Sequence, residues 1–139
     1  MGRIIAIDYG RKRTGLAVTD PQQLIAGGLT TLSSGSVVPF LKEYISQEKV
    51  DLFLLGEPRQ MNNQPSENMQ WVLKFKVQLQ QAIPQVPIIM VDERFTSVLA
   101  QQTILVAGIK KKERRNNKGL VDELSATIML QSYLESKRI

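Results

Sequence analysis

The sequence has 139 residues, 42% of them hydrophobic and 22% charged, and this composition is typical of one globular domain spanning residues 1–139. It contains no cysteine and no histidine, which excludes disulfides, thiolate or imidazole metal sites, and Ser-His or Cys-His catalysis. The net charge of +5 favours a polyanionic partner, and the lack of a signal peptide or a long apolar stretch predicts a cytoplasmic protein.

The N-terminal segment predicts an antiparallel hairpin with a basic tip. A continuous apolar run at 4–7 is typical of a strand buried on both faces, and this run stops at Asp8. A second strand is predicted at 15–18. The turn between the two strands is bracketed by glycines and carries three basic residues, Arg11, Lys12 and Arg13.

The remaining sequence alternates between strand and helix patterns. A third strand is predicted at 24–32, where Gly27 and Gly28 indicate a bulge or close packing. The later elements are a helix capped by Ser36, a strand at 51–56, a helix capped by Ser66 that stops before Pro84, a strand at 86–91, a helix from Thr96 or Ser97 to 107, and a helix from Val121 to Ser136. The sequence therefore predicts an α/β fold with a mixed five-stranded sheet, its first three strands antiparallel and the others parallel, flanked by helices.

Acidic residues lie at the ends of three predicted strands and in the first turn of the last helix. They are Asp8, Glu57, Asp92 or Glu93, and Asp122. We expect several of them to meet, because ligands of such sheets bind outside the carboxyl ends of the central parallel strands. Asp92 and Glu93 point to opposite faces of their strand, so only one of them can face a given site. Asp122 shares a helical face with the small Ala126, which would let the helix lie close to the sheet.

A cluster of three carboxylates predicts a divalent metal site. Carboxylates that lie close together repel one another unless a cation binds between them. Mg²⁺ or Mn²⁺ suits such a site, and a pair of ions would activate water and stabilise the leaving oxygen of a phosphodiester without any histidine. Structural roles remain open, since Asp122 in a first helical turn would favour the helix dipole and Asp92 or Glu93 could pair with Arg94.

A second basic cluster lies between the predicted acids and the last helix. It consists of Lys110, Lys111, Lys112, Arg114, Arg115 and Lys118. A basic run is often a solvated loop, but its position next to the acids favours contact with nucleic-acid phosphates. Aromatic residues are few, which argues against a broad stacking surface for single strands.

Three segments of the chain carry the acids and the first basic turn: DYGRKRTGLAVTD at 8–20, VDERFTS at 91–97 and VDELSATIML at 121–130. They resemble the signature blocks of the YqgF-like family of pre-16S rRNA nucleases, once described as Holliday-junction resolvase homologues. The resemblance implies a ribonuclease H-like fold, with Asp8, Glu93 and Asp122 as catalytic and metal-binding acids. It also places the family's basic turn on Arg11–Arg13, with Arg13 the closest match, and places on Thr96 the hydroxyl that follows the family's acidic block. The implied activity is divalent-metal-dependent hydrolysis at the 5′ end of pre-16S rRNA, with pre-ribosomal particles as partners.

The sequence departs from the family pattern in two places and leaves other functions open. Glu57 stands where an apolar residue is usual, so its role is open, and Ser125 stands where alanine is common. One alternative is a Holliday-junction or other DNA endonuclease, and another is a non-catalytic RNA-binding module for ribosome assembly. A sugar-kinase-like phosphotransferase would also fit DYGRKRTG at 8–15, but it needs a second domain to close over ATP.

Overall fold

A mixed five-stranded sheet forms the centre of the protein, as seen in a computed structural model whose described residues are 1–58, 67–92 and 118–137. The strands are β1 Arg3–Tyr9, β2 Arg13–Thr19, β3 Ala26–Ser33, β4 Val50–Glu57 and β5 Ile88–Asp92. Their spatial order is β3-β2-β1-β4-β5. β1, β2 and β3 pair antiparallel, whereas β4 pairs parallel with both β1 and β5. The predicted sheet is therefore confirmed.

Helices cover both faces of this sheet. α1 Val37–Gln47 and α2 Met69–Ala82 pack on one face, and α3 Lys118–Lys137 packs on the other. We call these the α1/α2 face and the α3 face. None of the helices among the described residues combines the length and apolarity needed to cross a membrane.

The central strands send alternate side chains into two separate hydrophobic clusters. The α1/α2 face takes Ile5, Ile7, Phe53 and Leu55, and the α3 face takes Ile4, Ala6, Leu52 and Leu54. Burial of both faces explains why these strands read as continuous apolar runs. Because side chains alternate strictly along a strand, this pattern also assigns a face to the residues that end each strand.

The first predicted strand boundaries need small corrections. β1 continues past Asp8 to Tyr9. β3 begins at Ala26 rather than at Leu24, because the Asp20 carboxylate accepts hydrogen bonds of 2.8 Å from the backbone N–H groups of Leu24 and Ile25. These bonds hold the two residues in a loop before the strand.

The predicted helix caps are also corrected. Ser36 occupies the N-cap position of α1 but makes no capping bond, and its hydroxyl lies 2.9 Å from that of Ser33. Ser66 is not the N-cap of the next helix, because α2 begins at Met69 with Asn68 in that position. Asn68 also makes no capping bond, and its side-chain amide instead donates to the backbone carbonyl of Tyr9 at 3.1 Å.

One predicted element lies outside the described residues. It is the helix expected from Thr96 or Ser97 to 107. The prediction that residues 1–139 form a single domain consequently stays a prediction.

Candidate functional site

Asp8 lies on the α3 face near the carboxyl end of β1. It follows Ile4 and Ala6 in the strand alternation, and both of those side chains belong to the hydrophobic cluster beneath α3. Asp8 is half-buried and pairs with Gly15 of β2. Because Gly15 has no side chain, the residue directly opposite Asp8 presents only its backbone.

α3 packs against the same face through small and apolar side chains. Ala126 is 0% exposed and Met129 is 2% exposed, and both contact the cluster formed by β1, β2 and β4. Ser125 is buried as well. The prediction that Ala126 lets this helix lie close to the sheet is confirmed.

Asp122 is the fifth residue of α3, one helical turn before Ala126. The predicted helix start at Val121 is wrong, because α3 begins at Lys118 and includes Gly119. Asp122 therefore lies beyond the first turn, where an acid gains little from the helix dipole. This removes the structural role considered for Asp122, while its side chain lies outside the described part of the structure.

Glu123 of α3 lies against Gly28 of β3, a contact that the sequence did not predict. The Glu123 side chain lies so close to the Cα of Gly28 that a Cβ built on Gly28 would overlap its carboxyl group. Gly28 pairs with Ala17, and Ala17 pairs with Ala6, two residues before Asp8. The contact therefore places Glu123, near the start of α3, beside the row formed by Gly28, Ala17 and Ala6, which lies two residues before Asp8.

The glycine pair in β3 is the sequence signal for this contact. Ala17 pairs with Gly28, but the preceding Leu16 pairs with Thr30, so Leu29 is an extra residue in β3. Gly27 has no atom within 4 Å of a built Cβ. Both parts of the prediction are confirmed, since the pair marks a bulge and Gly28 alone marks the close packing.

Glu57 and Asp92 lie on the opposite face from Asp8. They are the last residues of β4 and β5 and pair with each other in the ladder. Glu57 alternates with Phe53 and Leu55, and Asp92 alternates with Ile88 and Met90, all of which pack on the α1/α2 face. The two acids that end these strands are thus separated from Asp8 by the sheet.

The basic hairpin tip is held by hydrogen bonds beneath it. Arg11, Lys12 and Arg13 are all exposed, and with Gly10 they line a pocket of about 480 Å³. Ser34 donates its hydroxyl to the carbonyl of Gly10 and its backbone N–H to the carbonyl of Lys12 at 3.0 Å. The buried Thr14 hydroxyl lies 2.8 Å from that of Ser34.

An aromatic residue beside the tip was also missed from the sequence. The Cζ atom of Arg11 lies 5.7 Å from the centroid of the Trp71 ring on α2, and the Nζ atom of Lys74 lies 4.8 Å from it. A lone tryptophan followed three residues later by a lysine is the sequence signal that could have found this cluster.

The other predicted site residues lie outside the described part of the chain. They are Glu93, Thr96, Lys110, Lys111, Lys112, Arg114, Arg115 and the side chain of Lys118. Among residues 1–58, 67–92 and 118–137, no three acidic side chains gather to hold a metal ion. Since Glu93 and the Asp122 side chain fall outside that set, the predicted metal cluster stays a prediction.

Comparison with known proteins identifies the family. A family model described as "RuvX: Holliday junction resolvase" matches residues 2–136. A protein of Parabacteroides distasonis is 60% identical over 138 residues, covering 99% of this chain and 98% of the relative, and one of Porphyromonas gingivalis is 60% identical over 136 residues, covering 98% of each. Both relatives carry the name "Putative pre-16S rRNA nuclease".

Solved structures show the same fold at low sequence identity. Thermus thermophilus RuvC in complex with a Holliday junction substrate matches with a TM-score of 0.59 and 14% identity, over 99% of this chain and 96% of that one. A second Thermus thermophilus RuvC structure matches with a TM-score of 0.56 and 16% identity, over 97% and 96% of the two chains. The RuvC structures confirm the predicted ribonuclease H-like fold, and the family model and the relatives' names confirm the family resemblance and the nuclease class. The chain belongs to the RuvX family, the YqgF-like family of its three motifs.

Proposed function

We propose that this protein is a divalent-metal-dependent nuclease that hydrolyses phosphodiester bonds at the 5′ end of pre-16S rRNA in the cytoplasm. The observation that carries the proposal is the placement of Asp8 on the α3 face, where the helix that contains Asp122 packs. The names of the relatives support the rRNA precursor, within pre-ribosomal particles, as the substrate.

The second carboxylate on this face is assigned to Glu93. Asp92 lies on the α1/α2 face together with Glu57, and successive residues of a strand point to opposite faces. A strand that continued in the same alternation would therefore direct Glu93, not Asp92, toward the α3 face. The same reasoning gives Glu57 no part in the catalytic cluster.

The donor set suits a hard divalent ion. Asp8, Glu93 and Asp122 would hold Mg²⁺ or Mn²⁺ through carboxylate oxygens, and the chain has no histidine or cysteine to favour a softer metal. Such an ion supplies an activated water and stabilises the charge that develops on the scissile phosphate. The half-buried position of Asp8 limits the access of bulk water to its carboxylate.

Binding of the substrate backbone is assigned to the two basic clusters. Arg11, Lys12 and Arg13 project from the anchored tip that directly follows β1, close in sequence to Asp8. Lys110, Lys111, Lys112, Arg114, Arg115 and Lys118 form the second cluster, which immediately precedes Asp122 along the chain. Cations on both sides of the acids would hold phosphates without reading the base sequence.

A DNA junction is the second candidate substrate, because the matching family model is described as a Holliday junction resolvase.

One cleavage assay distinguishes the RNA substrate from the DNA junction. It compares the pre-16S 5′ segment, DNA of the same sequence and a four-way DNA junction, each with Mg²⁺, Mn²⁺ or EDTA. We expect metal-dependent cleavage of the RNA that is lost in Asp8→Asn. Preferred cleavage of the junction would assign DNA as the substrate, and binding without cleavage would indicate a non-catalytic assembly module.

A further inference from the structure

We propose that Trp71, together with Arg11 and Lys74, forms a stacking site for an unpaired nucleotide of the nucleic-acid strand. The proposal rests on the proposed function insofar as it takes a nucleic acid as the partner. We call these three residues the Trp71 cluster. Trp71 is half-buried on the first turn of α2, and both cations lie within 6 Å of its ring centroid.

The cluster matches both parts of a nucleotide. The indole ring is a flat surface on which any base can stack, and the two cations can bind the flanking phosphates. Neither Arg11 nor Lys74 forms an ion pair with an acidic residue in the part of the chain that the structure describes. A cation over a half-buried ring contributes less binding energy than a stacked base, so a base can displace the cation from the ring toward a phosphate.

The cluster is pre-formed rather than assembled from mobile parts. The ring of Tyr9 stacks on that of Phe75 at a centroid distance of 4.5 Å, which joins β1 to α2 one turn after Trp71. The Asn68 amide binds the Tyr9 carbonyl, which joins the same elements just before Trp71. Arg11 is positioned by the hydrogen bonds of Ser34 beneath the tip. Binding therefore costs little ordering of the protein.

The position of the cluster suits a strand that enters the candidate active site. Asn68 contacts the residue that directly follows Asp8, so the Trp71 cluster lies at the same edge of the sheet. Asp8 faces α3, whereas Trp71 belongs to α2 on the other side. A single strand bound at Asp8 can pass across the basic tip and place a neighbouring base on Trp71. A duplex keeps its bases stacked inside and cannot use this surface.

The test uses fluorescence, because Trp71 is the single tryptophan of the chain. The full-length protein is titrated in EDTA with an oligothymidylate, an oligouridylate of equal length, and an abasic oligonucleotide with the same number of phosphates. We expect the two base-containing strands to quench the tryptophan emission and the abasic strand to leave it nearly unchanged. A polyglutamate peptide is titrated as a control for charge alone. The proposal would be overturned if the abasic strand or this peptide quenched the emission as strongly as the base-containing strands, or if no strand quenched it.

The affinities of variant proteins for the same oligonucleotides provide a second test of the stacking site. Trp71→Leu is expected to weaken binding of the base-containing strands by about 5-fold to 100-fold, while binding of the abasic strand changes by less than about 2-fold. Trp71→Phe keeps a stacking ring and should retain most of the affinity, which controls for folding. Lys42→Gln, which removes an exposed lysine from α1, should leave all three affinities unchanged. Equal losses for base-containing and abasic strands in Trp71→Leu would contradict stacking.

The cleavage assay described under the proposed function separates the two claims. A wild-type protein that cleaves RNA with Mn²⁺ but shows no quenching would overturn the stacking site and leave the nuclease intact. A protein that shows base-dependent quenching but no cleavage would support the stacking site and overturn the nuclease.

Discussion

The face of the sheet on which a side chain lies determines which acids can act together. Asp8 and Glu57 both lie near the carboxyl ends of adjacent strands, yet their alternation sends them to opposite faces. A carboxylate on one face cannot share an ion with a carboxylate on the other, because ligand oxygens must lie within about 2.5 Å of the metal. Glu57 and Asp92 consequently serve as matched controls for Asp8 and Glu93.

A single methyl group on Gly28 should displace the Glu123 side chain. Because the methyl group meets only the end of that flexible side chain, we expect the carboxyl group to move aside in Gly28→Ala at a cost of about 0.5 kcal/mol, with a fall in melting temperature on the order of 2 °C. Gly27→Ala is the matched control, because a Cβ there meets nothing within 4 Å. Differential scanning fluorimetry measures both variants.

The same contact can be isolated by a double mutant. In a Glu123→Ala background the three atoms nearest to the added methyl group are removed, so Gly28→Ala should then cost no more than Gly27→Ala. If Gly28→Ala is equally destabilising in both backgrounds, the Glu123 contact does not explain the glycine.

The Asp20 loop should make stability depend on pH. Backbone N–H groups, first that of Ile25, donate to the Asp20 carboxylate and lower its pKa below the usual 3.8. A lowered folded pKa contributes stability at higher pH, and that contribution is lost as the pH falls from about 4 through the folded pKa. We expect Asp20→Asn to lower the melting temperature at pH 7, with the difference from wild type closing in acid. A constant difference across pH 3–7 in thermal melts would contradict this origin.

At the scale of elements, the β1–β2 hairpin carries its cations on a constrained turn. A Cβ on Gly10 would lie 2.6 Å from the carbonyl oxygen of Arg13, so the turn cannot keep its shape with a larger residue at this position. Ser34, from the segment between β3 and α1, supplies hydrogen bonds beneath the same turn. The arginine and lysine side chains of the tip are thus displayed from fixed backbone.

Both basic clusters should contribute to a salt-dependent, sequence-independent affinity. Replacing Arg11 and Lys12 with glutamine, or Lys110, Lys111 and Lys112 with glutamine, should reduce the slope of log affinity against log salt by about 0.7 per lost contact on single strands. All sequences should weaken alike. Fluorescence anisotropy with labelled RNA at several salt concentrations measures the slope. A cluster whose removal leaves the slope unchanged is solvated charge and binds no phosphate.

For the whole molecule, the acid cluster links metal binding to stability. Asp8, Glu93 and Asp122 repel one another without a cation, and an ion that binds only the folded protein stabilises it. For an assumed Kd of about 1 mM and about 10 mM Mg²⁺, the gain is roughly 1.4 kcal/mol, or on the order of 5 °C in melting temperature. Asp8→Asn should melt at or above the wild-type temperature in EDTA and respond less to Mg²⁺.

Thermal melting of the wild type and of Asp8→Asn is measured in EDTA and in Mg²⁺ at constant ionic strength. A mutant that is less stable than wild type in EDTA, and that gains as much from Mg²⁺, would show that Asp8 is a structural partner and binds no ion.

The fold was largely predictable because local pattern and global topology agree. Strand patterns in the sequence predicted all five strands, Pro84 predicted the end of α2, and Ala126 predicted the close approach of α3. Caps were less predictable, since Ser36 bonds to a neighbouring hydroxyl rather than to the helix. The Glu123–Gly28 and Arg11–Trp71 contacts join residues that are distant in sequence, and the local sequence around each residue does not indicate which residue it contacts.

The candidate site was predictable only in part for the same reason. The motif blocks give Asp8, Glu93 and Asp122, but the strand ends alone leave Glu57 and Asp92 equally eligible. The ladder register between β4 and β5 and the two hydrophobic clusters assign both of those acids to the other face.

Cleavage by five single variants tests the central claim, that Asp8, Glu93 and Asp122 form one metal site on the α3 face. Asp8→Asn, Glu93→Gln, Asp122→Asn, Glu57→Gln and Asp92→Asn are compared with wild type on the preferred substrate in Mn²⁺, after circular dichroism has confirmed folding. We expect the first three to lose at least about 100-fold in rate, and the last two to stay within about threefold of wild type. Loss of activity in Glu57→Gln or Asp92→Asn, or near-normal activity in Asp8→Asn, would contradict the assignment of the site to this face.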